Sequence, residues 1–125
     1  MKLLLIVPAI LLLSAISSCS NQKPVSGPLK ARLETKALCM NYTFTVTGGS
    51  VDTSLVEASW TDETTGKTFK NAFGIANPCD FPSTINAGDE FYFEVETVKS
   101  KDCAVCMAYY PTPQKKLSIK VIPKP

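Results

Sequence analysis

The chain has 125 residues, of which 45% are hydrophobic, and this length suits one small domain. Its charges nearly balance, with 13 Lys and Arg against 11 Asp and Glu, so it lacks the basic excess of a nucleic-acid-binding protein. It contains no histidine, the residue that most often serves in acid–base catalysis. Composition therefore argues against nucleic-acid binding and most enzyme chemistry.

The first 19 residues have the layout of an export signal. Lys2 gives a positive start, residues 3–13 form an apolar block, and small residues follow. The block is shorter than the ~20 residues that a membrane-spanning helix needs. The sequence Ile16-Ser17-Ser18-Cys19 then resembles the lipobox of bacterial lipoprotein precursors. This resemblance implies that residues 1–18 are removed and that Cys19 carries a diacylglyceryl group as a membrane anchor.

An ordinary secretory signal with a chance cysteine is the competing interpretation. Ile16 suits a lipobox better than ordinary cleavage, and the use of Cys19 leaves an even number of cysteines. Ser20 after the cysteine is compatible with sorting to the outer membrane under the commonest rule. Because two or more acyl chains anchor a protein durably, we expect a protein held on a bacterial envelope membrane, facing the periplasm or the exterior.

Residues 19–30 comprise the predicted lipidated cysteine and a tether. Polar residues, Gly and Pro dominate this stretch, and it has no apolar periodicity. Such a composition cannot bury enough surface to become ordered. A flexible chain of eleven residues spans roughly 18 Å on average. We expect a domain over residues 31–125 that stays close to the membrane without crossing it.

From residue 31 onwards, apolar side chains recur at every second position, which is the period of half-buried strands. The clearest runs lie at residues 40–46, 56–60, 91–95, 105–109 and 117–121. We predict an all-β domain, a small antiparallel β-sandwich of six or seven strands, with Trp60 and four or five phenylalanines in the core. It resembles the immunoglobulin-like or fibronectin-like architecture in strand number and spacing, a likeness that carries no function.

Four cysteines remain after Cys19, and they allow three disulfide pairings: Cys39, Cys79, Cys103 and Cys106. In an extended strand, Cys103 and Cys106 would lie ~10 Å apart on opposite faces, so a direct bridge would require a bend. Strand parity places Cys39 and Cys106 on the side away from the core. It favours the pairs Cys39–Cys106 and Cys79–Cys103, with Cys39–Cys79 and Cys103–Cys106 as the main alternative.

The spacing of Cys103 and Cys106 is also that of some redox and metal-binding cysteines. A thioredoxin-type pair lies at a helix N-terminus, whereas here an alternating pattern and Pro111 follow. Zinc would require all four cysteines together or a histidine. We therefore expect structural disulfides, with no metal and no cofactor. A secreted thiol-disulfide redox module that uses Cys103 and Cys106 is the alternative.

The expected function is binding or structural interaction within the envelope. No catalytic residue is assigned, because serine and cysteine nucleophiles lack an evident base and a domain this small has little room for an enclosed cleft. Exposed Tyr beside rigid Pro offers contact area at low entropic cost, so Tyr109 and Tyr110 are the candidate partner-binding residues. In the competing interpretation, Tyr109 packs inward. The expected partner is an envelope protein or a glycan, and not nucleic acid.

Overall fold

The computed structural model describes residues 28–97 and 103–125, so the predicted signal, Cys19 and most of the tether lie outside the described residues. The first strand begins slightly before the predicted domain boundary. The seven strands are β1 (Leu29–Lys36), β2 (Tyr42–Gly48), β3 (Glu57–Thr61), β4 (Thr68–Ile75), β5 (Glu90–Val95), β6 (Lys116–Leu117) and β7 (Ile119–Ile122). Two short 3-10 turns cover Leu38–Met40 and Pro78–Asp80. In this part of the chain, no helix has the length and hydrophobicity to span a membrane.

All seven strands belong to one sheet, in which six follow the order β3-β4-β2-β1-β5-β7. Neighbours along this order are antiparallel, whereas the short β6 pairs with β4 in parallel. The C-terminal segment thus joins β4 through β6 and β5 through β7, on opposite sides of the β2–β1 pair. The sheet therefore folds over a single core. This confirms the predicted all-β, sandwich-like fold with its largely antiparallel strands.

Aromatic packing dominates the core. Five phenylalanines belong to the buried cluster: Phe44, Phe73, Phe81, Phe91 and Phe93. Phe44 lies among them, stacked on Phe73 with ring centroids 5.1 Å apart and meeting the Phe81 ring edge-on at the same distance. The phenylalanine content of the predicted core is confirmed. The placement of Trp60 there is wrong: it lies half-buried on β3, which has β4 as its one strand neighbour, and it stacks on Phe69 instead.

One predicted strand is absent, and another begins later than predicted. Residues 103–113 have no strand pairing, although Val105, Met107 and Tyr109 alternate with other residues as in a strand. Disulfides attach this segment to loops, and Pro111 has no N–H to donate to a neighbour. Met40 is also outside β2, in the turn that precedes it. Alternation of apolar residues therefore predicted strand structure for residues that lie outside the sheet.

Candidate interaction surface

Large apolar side chains are exposed at five positions, in two segments of the described chain. They are Leu38 (73% exposed), Met40 (38%), Val105 (42%), Met107 (95%) and Tyr109 (80%). We call these five residues the apolar patch. Contiguous exposed apolar surface larger than a few hundred Å² often marks an interaction site. The patch is therefore the candidate functional site.

Covalent and hydrogen-bonded contacts join the two segments that carry the patch. A disulfide links Cys39 to Cys106, with the Cα atoms 4.9 Å apart. The side chain of Asn41 donates a hydrogen bond of 2.8 Å to the carbonyl of Ala108, and the Ala108 N–H lies 3.3 Å from the Cys39 sulfur. Since Leu38 and Met40 flank Cys39, these contacts bring them beside residues 105–109.

The backbone of the turn is strained at two successive residues. Cys39 has a φ of 57° and Met40 a φ of 58°, both in the left-handed region that favours glycine. Such a conformation costs roughly 1–2 kcal/mol for a residue with a Cβ. The disulfide and a 2.8 Å hydrogen bond from the Asn41 side chain to the Leu38 carbonyl hold the turn in place. Such a conformation persists only where the surrounding contacts maintain it.

The two predicted tyrosines have different environments. Tyr109 is exposed and belongs to the patch, so the competing interpretation in which it packs inward is wrong. Tyr110 is half-buried, and its hydroxyl donates a hydrogen bond of 2.9 Å to Oδ2 of Asp62. Pro111 and Pro113 after it are buried. Tyr110 thus fixes the end of the segment, while Tyr109 remains available for contact.

The electrostatics of the Asp62–Tyr110 contact favour a charged carboxylate and a neutral phenol. Burial of Asp62 opposes its charge, but hydrogen bonds from the Thr64 N–H and the Tyr110 hydroxyl outweigh that effect, so the pKa of Asp62 lies below its ordinary value. The hydrogen bond to Asp62 and burial together raise the pKa of Tyr110. The contact therefore persists at neutral pH.

The patch has no charged side chains of its own. Residues 37–42 and 103–113 contain no Asp, Glu, Lys or Arg. The nearest preceding cation, Lys36, points its Nζ to the carbonyls of Ser83 and Ile85, each at 2.9 Å. Within these two segments, apolar contact and shape are what the patch offers to a ligand.

The disulfides are Cys39–Cys106 and Cys79–Cys103, which are the pairs that strand parity favoured. Neither Cys39 nor Cys106 lies in a strand, however, so the physical reason given by parity does not apply. Cys103 and Cys106 are each bonded to a distant partner and not to each other. The described residues include no cluster of three or more His, Cys, Asp or Glu side chains that could hold a metal ion.

A second surface feature is a group of ion pairs on the neighbouring strands β1 and β5. Glu90 pairs with Lys30 at 2.7 Å and with Arg32 at 2.6 Å, and Arg32 also lies 3.5 Å from Glu34. Lys30 and Glu90 line an open cavity of about 330 Å³, together with Tyr92 and Lys124. The charges of Lys30 and Arg32 are thus paired within the domain, which makes this cavity a weaker candidate than the apolar patch.

Sequence reasoning found Tyr109 but missed Leu38 and Met40. Met40 was assigned to the apolar face of a strand, and no local signal marks Leu38 as exposed. Their position on either side of Cys39 was a usable signal. Once Cys39 is paired with Cys106, it predicts that Leu38 and Met40 lie near residues 105–109.

Comparison of the chain with protein-family models, with curated proteins and with solved structures finds no match in any of the three. Function is therefore inferred from the predicted export signal and from the apolar patch.

Proposed function

We propose that this protein is a lipoprotein of the bacterial envelope, anchored through Cys19, whose β domain is a binding or structural interaction module. The single observation that supports the interaction role is the apolar patch, with five exposed apolar side chains around one disulfide. The anchor rests on the lipobox resemblance. Two disulfides agree with an oxidising compartment outside the cytoplasm.

The patch would act as the centre of a contact surface. Full burial of a side chain such as Leu38 or Met107 contributes roughly 1.5–3 kcal/mol of gross transfer free energy. Loss of translational and rotational freedom opposes association by about 4–15 kcal/mol, so five such side chains give modest affinity by themselves. Attachment to a membrane would raise the effective concentration of the module near any partner in the same envelope.

The alternative, a redox module based on Cys103 and Cys106, has less support. A redox pair of this spacing cycles between a dithiol and a disulfide within the pair. In the structure, Cys103 is bonded to Cys79 and Cys106 to Cys39. Reduction would then release two structural links of the domain.

The anchor is tested by the intact mass of the chain purified from membranes, measured with and without reduction and alkylation. We expect a chain that begins at Cys19, carries added acyl mass and exposes four thiols only after reduction. A lipid-free mass would contradict the anchor. Two thiols that react before reduction would favour the redox alternative.

The interaction role is tested by cross-linking in intact cells with two matched variants. Met107→Ser removes the most exposed apolar side chain, whereas Lys120→Ser changes an exposed residue of β7 outside the patch. We expect cross-linked species with the wild-type chain and with Lys120→Ser, and their marked loss with Met107→Ser. Equal cross-linking of both variants would contradict a role of the patch.

A further inference from the structure

We propose that the Cys39–Cys106 disulfide is a redox-sensitive link, which an external dithiol reduces before it reduces Cys79–Cys103, and that its reduction loosens the apolar patch. Because the patch is the contact surface of the proposed function, this control of its shape rests on that function. The chemistry of the bridge itself requires neither the lipid anchor nor a partner.

Each disulfide offers one accessible cysteine to an attacking thiolate. In the first bridge, Cys106 is exposed and Cys39 is half-buried. In the second bridge, Cys79 is exposed and Cys103 is half-buried. Thiol–disulfide exchange begins with attack of a thiolate on one sulfur, so we expect attack at Cys106 and at Cys79. Access alone therefore does not rank the two bridges.

A hydrogen bond at the leaving sulfur distinguishes the two bridges. Attack at Cys106 expels Cys39 as a thiolate, and the N–H of Ala108 lies 3.3 Å from the Cys39 sulfur. A hydrogen-bond donor stabilises the charged form of its acceptor, and a more stable leaving thiolate departs faster. Among the described residues, the sulfur of Cys103 accepts no such bond. Cys39 is thus the better leaving group.

Nearby charge favours reaction at the same bridge. Residues 37–42 and 104–113 contain no charged side chain, so the sequence around Cys106 brings no charge that repels a thiolate. The exposed carboxylate of Asp80, in contrast, directly follows Cys79. A neighbouring negative charge disfavours a thiolate. Attack at Cys79 is therefore opposed.

The exchange transfers two electrons from the dithiol to the bridge. One thiolate of the dithiol attacks the Cys106 sulfur, which forms a mixed disulfide and breaks the Cys39–Cys106 bond. The electron pair of that bond stays on the Cys39 sulfur, which takes a proton from water. The second thiolate of the dithiol then attacks the first sulfur of the reagent, closes the reagent's own disulfide and expels Cys106, which is protonated in turn.

Reduction also frees a turn that the bridge helps to hold in an unfavourable backbone. Cys39 and Met40 have φ angles of 57° and 58°, in the left-handed region. This region is unfavourable for residues with a Cβ. Once the bridge opens, the turn can return to an ordinary backbone conformation. Release of this strain favours the reduced form over the closed bridge.

The second segment of the patch keeps both of its ends when this bridge opens. Cys103 stays bonded to Cys79, and Tyr110 stays hydrogen-bonded to Asp62. Residues 104–109 then form a loop that is fixed at both ends and has no strand pairing. This loop carries three of the five patch residues. Opening the bridge therefore changes the shape of the patch and leaves the sheet in place.

The order of reduction is tested on the exported chain, purified without reductant and treated with graded dithiothreitol. Free thiols are blocked with iodoacetamide and located by mass spectrometry. We expect the Cys39–Cys106 pair to be alkylated about tenfold faster than the Cys79–Cys103 pair, the effect of one hydrogen bond to a charged sulfur. With glutathione, a monothiol, the trapped mixed disulfide should lie on Cys106. Equal rates, earlier opening of Cys79–Cys103 or an adduct on Cys39 would overturn the inference.

A pair of proline variants tests the hydrogen bond itself. Ala108→Pro removes the N–H that reaches the Cys39 sulfur, and Ala104→Pro is the matched control in the same exposed segment. We expect only Ala108→Pro to slow the opening of Cys39–Cys106, by about tenfold. An unchanged opening rate of Cys79–Cys103 in Ala108→Pro shows that its fold is intact. No slowing in Ala108→Pro, or equal slowing in both variants, would contradict the role of this N–H.

Amide hydrogen exchange tests the effect on the patch. After selective opening of the bridge, we expect about tenfold faster exchange in residues 104–109 and unchanged exchange in β2 and β5. No change in residues 104–109, or faster exchange in these strands as well, would overturn the proposed control. The proposed function fails separately. A bridge that resists the dithiol leaves the cross-linking result for Met107→Ser untouched, and equal cross-linking of that variant leaves the order of reduction unaffected.

Discussion

The hydroxyl of Tyr110 donates a 2.9 Å hydrogen bond to the buried carboxylate of Asp62, 48 residues earlier in the chain. Asp62 follows the last residue of β3, and it also accepts a 2.8 Å hydrogen bond from the Thr64 N–H. One carboxylate thus shapes the β3–β4 turn and fixes the end of the segment that carries Tyr109. The turn and the apolar patch are coupled through this contact.

Replacement of Asp62 by Ala should destabilise the domain. The change leaves the Tyr110 hydroxyl and the Thr64 N–H without their acceptor, and we expect a loss of about 1–3 kcal/mol in the free energy of unfolding. Tyr110→Phe should cost less, because Asp62 keeps its bond from Thr64. Urea unfolding monitored by circular dichroism measures both values. A wild-type unfolding free energy for Asp62→Ala would show that this contact is not stabilising.

The same contact predicts a change in acid stability. The pKa of Asp62 is lowered from an ordinary value of 3.8, so its stabilising effect is present above about pH 4 and is lost as the pH falls towards the folded-state pKa. Tyr110→Phe removes one of the hydrogen bonds that lower this pKa. We therefore expect the acid-unfolding midpoint of Tyr110→Phe to move to higher pH. Tyr109→Phe is the matched control, and an equal shift in both variants would contradict the assignment.

Removal of the Cys39–Cys106 disulfide should loosen the apolar patch. The two cysteines are 67 residues apart, so the chain-entropy model gives a stabilisation of about 4 kcal/mol for this bridge. In the double variant Cys39→Ser and Cys106→Ser, we expect lower stability and faster amide hydrogen exchange in residues 105–109. The variant that lacks Cys79 and Cys103 should protect these amides better, because Cys39 still holds Cys106. Equal exchange in the two double variants would refute this role.

Met40 should be replaceable by Gly without loss of the fold. Its left-handed backbone costs roughly 1–2 kcal/mol with a Cβ, and Gly removes this cost while adding freedom to the unfolded chain. We expect an unfolding free energy within about 1 kcal/mol of wild type or slightly higher. Ala58→Gly, at an exposed position in β3, should instead lower it by about 0.5–1 kcal/mol. Thermal unfolding compares the two, and a larger loss for Met40→Gly would contradict the strain argument.

Buried Asn77 should be among the most sensitive polar positions. Its side chain donates a 2.8 Å hydrogen bond to the carbonyl of Ile119 and accepts a 2.9 Å hydrogen bond from the N–H of the same residue. This double contact holds the first residue of β7 beside the end of β4. We expect Asn77→Ala to lower the free energy of unfolding by about 2–3 kcal/mol. Exposed Gln114→Ala should change it by less than about 0.5 kcal/mol. Similar values for the two variants would contradict the prediction.

Alternation of apolar residues predicted strands correctly where neighbouring strands supply hydrogen-bonding partners. The alternation at Phe91 and Phe93 was enough to identify β5, because both side chains enter the core. The same alternation at Val105, Met107 and Tyr109 predicted a strand that does not exist. The cysteines of this segment are bonded to Cys39 and Cys79, which lie in turns outside the sheet. The two segments have the same periodicity, and they differ in whether a neighbouring strand is present to pair with.

The sequence by itself determined the all-β character and the phenylalanine content of the core, because each depends on local periodicity or residue type. It also carries the lipobox resemblance at Cys19, which stays a prediction. The tertiary structure decided that Tyr110 turns to Asp62 while Tyr109 stays exposed, and that Leu38 and Met40 join the patch. These outcomes depend on contacts between segments 48 and 67 residues apart, which no local pattern encodes.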